Sequence, residues 1–151
     1  MRISFDLDDT LICYHPGSLY EPRLRWYWRL VVNEEPLRLG MRELGRELMR
    51  RGHELWVYTT SFRSPFGVAW WLRGHGIRVR RVVNQDVHDR ELRRLGHRHG
   101  PSKNPSMFGI DLHIDDSAGV GLEGREHGFR VVVVDPLDGD WARRVLAAAG
   151  R

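Results

Sequence analysis

Residues 3–11, Ile-Ser-Phe-Asp-Leu-Asp-Asp-Thr-Leu, set three carboxylates and the hydroxyl of Thr10 directly behind an alternating apolar run. Ile3, Phe5 and Leu7 read as the buried face of a short strand, which leaves Asp6, Asp8 and Asp9 at or just past its end. Carboxylates this close repel one another unless a cation or a buried hydrogen-bond network compensates them. Such a cluster is suited to holding a hard divalent cation through a few carboxylate oxygens, or to acid–base work by paired acids. A turn-capping role is the plain alternative for any Asp in this position. An EF-hand calcium loop is excluded by register: the sixth and twelfth positions, where it needs Gly and an acid, carry Leu11 and Gly17.

The elements that must position these groups alternate along the chain. After the first strand, Pro36 is predicted in the first turn of a helix whose apolar residues Leu37, Met41, Leu44 and Leu48 repeat at helical spacing up to Gly52. Residues 53–60 form a second strand. Ser64 caps a helix with Pro65 at its first position and Gly74 or Gly76 as its stop, and residues 77–83 alternate as a third strand. Asp86 is predicted to cap a short Arg-rich helix running to Leu95. Residues 110–115 and 129–134 make strands four and five, separated by a Gly-broken helical segment, and Asp140 opens a last helix. This alternation predicts a single α/β domain over residues 1–151, with one doubly wound, mainly parallel five-stranded sheet and a small flap insert around residues 12–35. Sites in such sheets form outside the carboxyl ends of the strands, where Asp6, Asp8, Thr59, Asp115 and Asp116 all fall.

Three separated stretches, Asp-Leu-Asp-Asp-Thr (residues 6–10), Val-Tyr-Thr-Thr-Ser (57–61) and residues 102–117 with Lys103 and the Asp115–Asp116 pair, resemble the phosphatase branch of the haloacid dehalogenase superfamily. That resemblance implies a Rossmannoid hydrolase fold and a role for each matched residue. Asp6 would attack phosphorus and form an acyl phosphate. Asp8 would protonate the leaving oxygen and later take a proton from water. The repulsion between a carboxylate nucleophile and a phosphate dianion calls for cations. Mg²⁺ suits Asp6, the backbone carbonyl of Asp8 and one carboxylate of Asp115 or Asp116, and the family pattern places the ligand at Asp116 with Asp115 beside it. Thr59, or its neighbour Thr60, would bind a phosphate oxygen. Lys103 would neutralise phosphate and nucleophile, and Thr10 would brace the loop. Asp9 stands where many relatives carry Gly.

The 24 basic residues outnumber the 20 acidic ones for a formal charge of +4, which favours anionic partners without choosing among them. All the basic residues except Lys103 are arginine, so Arg density alone does not mark a nucleic-acid surface. Residues 23–30, Arg-Leu-Arg-Trp-Tyr-Trp-Arg-Leu, interleave cations with aromatics that either pack or grip a ligand, and Arg63, close behind the second strand, either touches a substrate or is a solvated surface charge. His97 and His99 form an H-x-H without matched ligands, which is weak for zinc. One cysteine, Cys13, and no charged start before a long apolar run predict a cytoplasmic protein without disulfides or membrane contact.

Neither interval where relatives insert a cap, residues 12–52 or 84–102, is long enough for one. An open, capless site suits a phosphate on a macromolecule, or a smaller substrate enclosed by a second subunit or by the 23–30 flap. The expected function is thus a Mg²⁺-dependent phosphatase acting on a phosphomonoester. A phosphotransferase of the same fold, and a nucleic-acid- or protein-binding module with vestigial hydrolysis, are the alternatives.

Overall fold

A computed structural model describes residues 1–96 and 101–150. Its elements are β1 (Arg2–Phe5), α1 (Met41–Arg50), β2 (Glu54–Tyr58), α2 (Pro65–Gly74), β3 (Val79–Val83), α3 (Gln85–Arg94), β4 (Leu112–Asp115), α4 (Ala118–His127), β5 (Val131–Val133) and α5 (Trp141–Ala149). Short 3-10 turns occupy Trp28–Leu30 and Pro105–Phe108. The fold is the expected α/β class, with the five strands in one all-parallel sheet of order β3-β2-β1-β4-β5. The chain winds outward from β1 through β2 to β3, then returns to the other side of β1 for β4. The direction of winding therefore reverses between β1 and β4, and the crevice at their carboxyl ends is where such sheets bind ligands.

Alternation along the strands gives the sheet two different faces. On one, Ile3, Phe5, Leu55, Val57, Leu112 and Ile114 join apolar residues of α1, α2 and α5 in the main core. On the other, Trp56, Tyr58 and Val83 pack with Phe108 and Ile110 in a smaller cluster, and β1 and β4 instead present Ser4 and His113, both fully buried. The second face is thus apolar at its margin and polar beside the switch point. Gly124 lets α4 lie close on β5: a Cβ there would stand 2.8 Å from the carbonyl oxygen of Phe129 and from Val131.

Several boundaries differ from expectation. Pro36 does not start a helix. Leu37 pairs with Ile12 and Arg38 with Tyr20 in isolated antiparallel bridges, and α1 begins only after Gly40, whose φ of +89° makes the turn. Leu37 is buried as its spacing suggested, but it is held from across the flap and not by a helix turn. Asn84, not Asp86, caps α3, its side chain accepting from the amide of Val87. Ser64 caps α2 ahead of Pro65 as expected. His97 and His99 lie outside the described residues. Among those residues, no helix is long and apolar enough to cross a membrane.

The segment between β1 and α1 has no regular structure beyond its 3-10 turn, yet it is fastened down. Leu24 and Val32 enter the main core, the indole of Trp71 on α2 donates to the carbonyl of Glu35 at 3.1 Å, and the carboxylate of Glu34 accepts from the amide of Leu24 at 2.8 Å.

Candidate functional site

The loop after β1 is shaped by its backbone. The carbonyl of Leu7 accepts the amides of Leu11 (2.9 Å) and Ile12 (2.8 Å), which folds the chain back on itself just after Asp6. Asp9 closes this turn at φ +59°, a conformation open to Gly and tolerated by Asp. The amide of Asp6 continues the ladder to the carbonyl of Ile114 at 2.9 Å, so Asp6 is fixed in register with the end of β4. Buried Arg38 ties the same loop to the chain after β5, donating to the carbonyls of Thr10 (3.4 Å), Asp135 (2.6 Å) and Asp138 (3.0 Å).

At the crevice, Asp6, Asp115 and Asp116 each offer a carboxylate oxygen, and these oxygens lie within 4.8 Å of one another. Lys103, only 4% exposed, inserts its ammonium between two of them, 2.7 Å from Asp6 Oδ1 and 2.5 Å from Asp115 Oδ2. Asp115 is committed further: His113 Nε2 lies 2.9 Å from the same Oδ2, and the amide of Ser117 donates to Oδ1 at 2.9 Å. The His113 Nδ1 is 2.8 Å from the Ser4 hydroxyl, so a neutral ring with its proton on Nε2 satisfies both partners. Burial holds His113 neutral by pushing its pKa down. Asp116, by contrast, has a single side-chain partner among the described residues, the Thr10 hydroxyl at 3.4 Å.

The electrostatics follow from this wiring. Burial pushes Asp6 up to about 7, against the pull of Lys103 and with a further push from Asp115. Burial acts on Asp115 in the same sense, but the His113 hydrogen bond and the Lys103 charge outweigh it and hold this carboxyl well below its usual range. Asp116 is raised by partial burial and by the Asp115 charge. On Lys103, burial is outweighed by Asp6 and Asp115, so its ammonium is held charged. Three carboxylates therefore face one ammonium, with an excess of two negative charges when all are ionised.

The other expected site residues take distinct places. The Asp8 side chain is not among the converging acids; it points outward to Arg63, whose Nη1 is 2.8 Å from Asp8 Oδ2. Thr59 is buried at the end of β2, its hydroxyl accepting the amide of Ser61 at 3.1 Å, whereas Thr60 is exposed. Beside Arg63 a cavity lined by Ile12, Glu35, Gly67, Val68 and Trp71 separates the flap from α2.

Four contributors went unread in the sequence. Ser4 and His113 are paired across β1 and β4, and the signal for His113 is its place two residues before Asp115, hence on the same face of β4. The Tyr58 hydroxyl accepts the amide of Asn104 at 2.9 Å and bonds His88 Nδ1 at 2.5 Å, which anchors the backbone next to Lys103. Arg38, inside a stretch read as helix, gave no local sign of its role.

No family model matches this sequence, and no curated protein is significantly similar to it.

Proposed function

We propose that the chain is a capless phosphatase of the haloacid dehalogenase superfamily, hydrolysing a phosphomonoester with Asp6 as nucleophile. The observation that carries this reading is the buried ammonium of Lys103 held between Asp6 and Asp115 at the switch point, with Asp116 converging on the same place. A dry, prewired cation beside one carboxylate suits an anionic substrate that must be attacked by an anion. Asp6 Oδ1 is oriented by Lys103, which leaves the other oxygen to attack phosphorus and expel the alcohol.

The donor set also fits a hard divalent cation, for which Mg²⁺ is our assignment. Asp116 is the carboxylate with oxygen to spare, while Asp115 is occupied by Lys103, His113 and Ser117, so Asp6 and Asp116 would hold the ion, with the backbone carbonyl of Asp8. When bound, it supplies charge neutralisation at the phosphoryl oxygens. Asp115 then serves to orient Lys103. Asp8, half-exposed and paired with Arg63, would exchange protons with solvent and with the leaving oxygen once that pair opens. The Thr59 amide is tied to the Val83 carbonyl at 2.9 Å, so the Thr59 hydroxyl and the Thr60 amide and hydroxyl would be the donors to a phosphate oxygen.

Phosphate release from p-nitrophenyl phosphate tests the reading. Wild-type protein should turn over with Mg²⁺ and lose activity on chelation, and Asp6→Asn should lose at least about a thousandfold in kcat. An Asp6→Asn protein with a tenth of wild-type turnover would overturn it.

A further inference from the structure

Two segments of this chain lack acids altogether: residues 22–33 carry Arg23, Arg25 and Arg29, and residues 55–85 carry Arg63, Arg73, Arg78, Arg80 and Arg81. The fold brings them together through their aromatics. Phe66 and Trp70 on α2 have ring centroids 5.6 Å apart, Trp70 and Trp28 of the flap 5.7 Å, Trp28 and Tyr27 6.5 Å, and Tyr27 and Trp26 6.0 Å. The row is open to solvent at both ends, Trp26 being 71% and Phe66 68% exposed. Guanidinium groups flank it: Arg25 lies 5.9 Å from the Tyr27 ring and Arg73 5.8 Å from the Trp70 ring. Among the described residues, neither of these arginines has an acid within ion-pair distance.

We infer that this row is a binding surface for single-stranded nucleic acid. Successive bases stack on exposed rings without regard to sequence, while unpaired arginines meet the phosphates between them. Charge decides against a second copy of this chain, because a two-fold contact would set the same arginines against each other. The Phe66 end adjoins Arg63, which reaches Asp8, so on the hydrolytic reading proposed above a strand lying along the row would bring a terminal phosphate to Asp6.

Fluorescence anisotropy of a labelled oligothymidylate without terminal phosphate tests the surface independently of any turnover. Wild-type protein should bind it more tightly than a duplex of equal length. The double variant Trp26→Ala/Phe66→Ala, which alters two largely exposed side chains, should weaken binding at least about tenfold. Arg25→Ala/Arg73→Ala should lower the slope of log K against log salt by about 1.4, two phosphate contacts at roughly 0.7 each. Oligothymidylate binding without phosphate release from p-nitrophenyl phosphate would support the surface while removing the hydrolytic reading. Unchanged binding in the aromatic variant, or equal affinity for duplex, would overturn the proposal. So would a row that instead holds anionic vesicles or a dimer together and ignores oligothymidylate.

Discussion

The acids behind β1 and the aromatics of the flap are built in opposite ways. Around Asp6 a chain of buried polar contacts fixes the site: Ser4 holds His113, His113 and Lys103 hold Asp115, and Tyr58 holds the backbone beside Lys103. Along the flap row only the ends, Trp26 and Phe66, are largely open to solvent; Trp28 packs against the main core, and the backbone is pinned from below by Leu24 and Val32. A carboxylate gains reactivity from a dry setting that fixes its cation in advance, whereas a surface that grips a large ligand must leave its apolar area uncovered. Removing a group from the first region should therefore cost stability and chemistry together. At the exposed ends of the second, Trp26 and Phe66, it should cost neither.

Lys103 gives the sharpest test of that contrast. Lys103→Met leaves Asp6 and Asp115 buried without their cation, which should destabilise the fold by about 3–5 kcal/mol and abolish turnover. Lys103→Arg keeps the charge, but the planar guanidinium cannot occupy the slot of a compact ammonium between two oxygens. It should lower kcat/KM at least about tenfold, roughly 1.4 kcal/mol of transition-state stabilisation, while restoring much of the stability. Denaturant titration beside steady-state kinetics separates the two; a silent Lys103→Met would show that the region is wired less tightly than its distances imply.

Asp6 and Asp116 make cation binding depend on pH in a definite sense. The folded-state pKa of Asp6, about 7, lies above its ordinary 3.8, so between these values the unfolded chain gives up a proton that the folded one keeps. Ion-free protein should thus lose stability as pH rises through that window. A divalent cation binds the ionised form and offsets the loss. With Mg²⁺ at about a hundred times its Kd, Tm should rise by roughly 5–10 °C at pH 8 and by less at pH 5. Asp116→Asn should remove the rise and Asp115→Asn should reduce it less. Equal losses in thermal scans of both variants would show that Asp115 also holds the ion.

The smallest effect lies under the flap, at His75. This ring, 7% exposed, accepts from Arg42 at Nδ1 (3.1 Å from Nε, 2.8 Å from Nη2), and burial together with the Arg42 charge pushes it down to about 4. The unfolded chain takes up the proton first, so this contribution is complete above pH 6.5 and is lost as pH falls toward 4. The stability difference between wild type and His75→Gln should shrink over that range in denaturant melts. A difference independent of pH would mean that the ring titrates normally.

What the sequence made legible follows the same divide. The strands could be read because period-two alternation is local, and α2 because Ser64 and Pro65 signal its start chemically. Asp6 and the Asp115–Asp116 pair could be read because each sits at a strand end, and Lys103 because it is the one lysine in a chain that otherwise uses arginine. The start of α1 could not, since Leu37 and Arg38 are held by Ile12 and Tyr20 across a loop that no periodicity records. Nor could the anchoring of Lys103, because His113 and Tyr58 occupy strand positions where an inward side chain reads simply as core. The outward pairing of Asp8 with Arg63 joins residues 55 positions apart and leaves no local trace.

On the proposed reading, Asp6 becomes covalently phosphorylated. The most direct measurement is mass spectrometry of the Asp6-bearing peptide after acid quench of a reaction with p-nitrophenyl phosphate and Mg²⁺, carried out on Asp8→Asn protein, in which the acyl phosphate should persist because its hydrolysis lacks a base. A phosphoryl group should be found on Asp6 and be absent from the Asp6→Asn/Asp8→Asn double variant. Wild-type phosphate release with no phosphoryl group trapped on Asp6, and with turnover surviving Asp6→Asn, would contradict that reading.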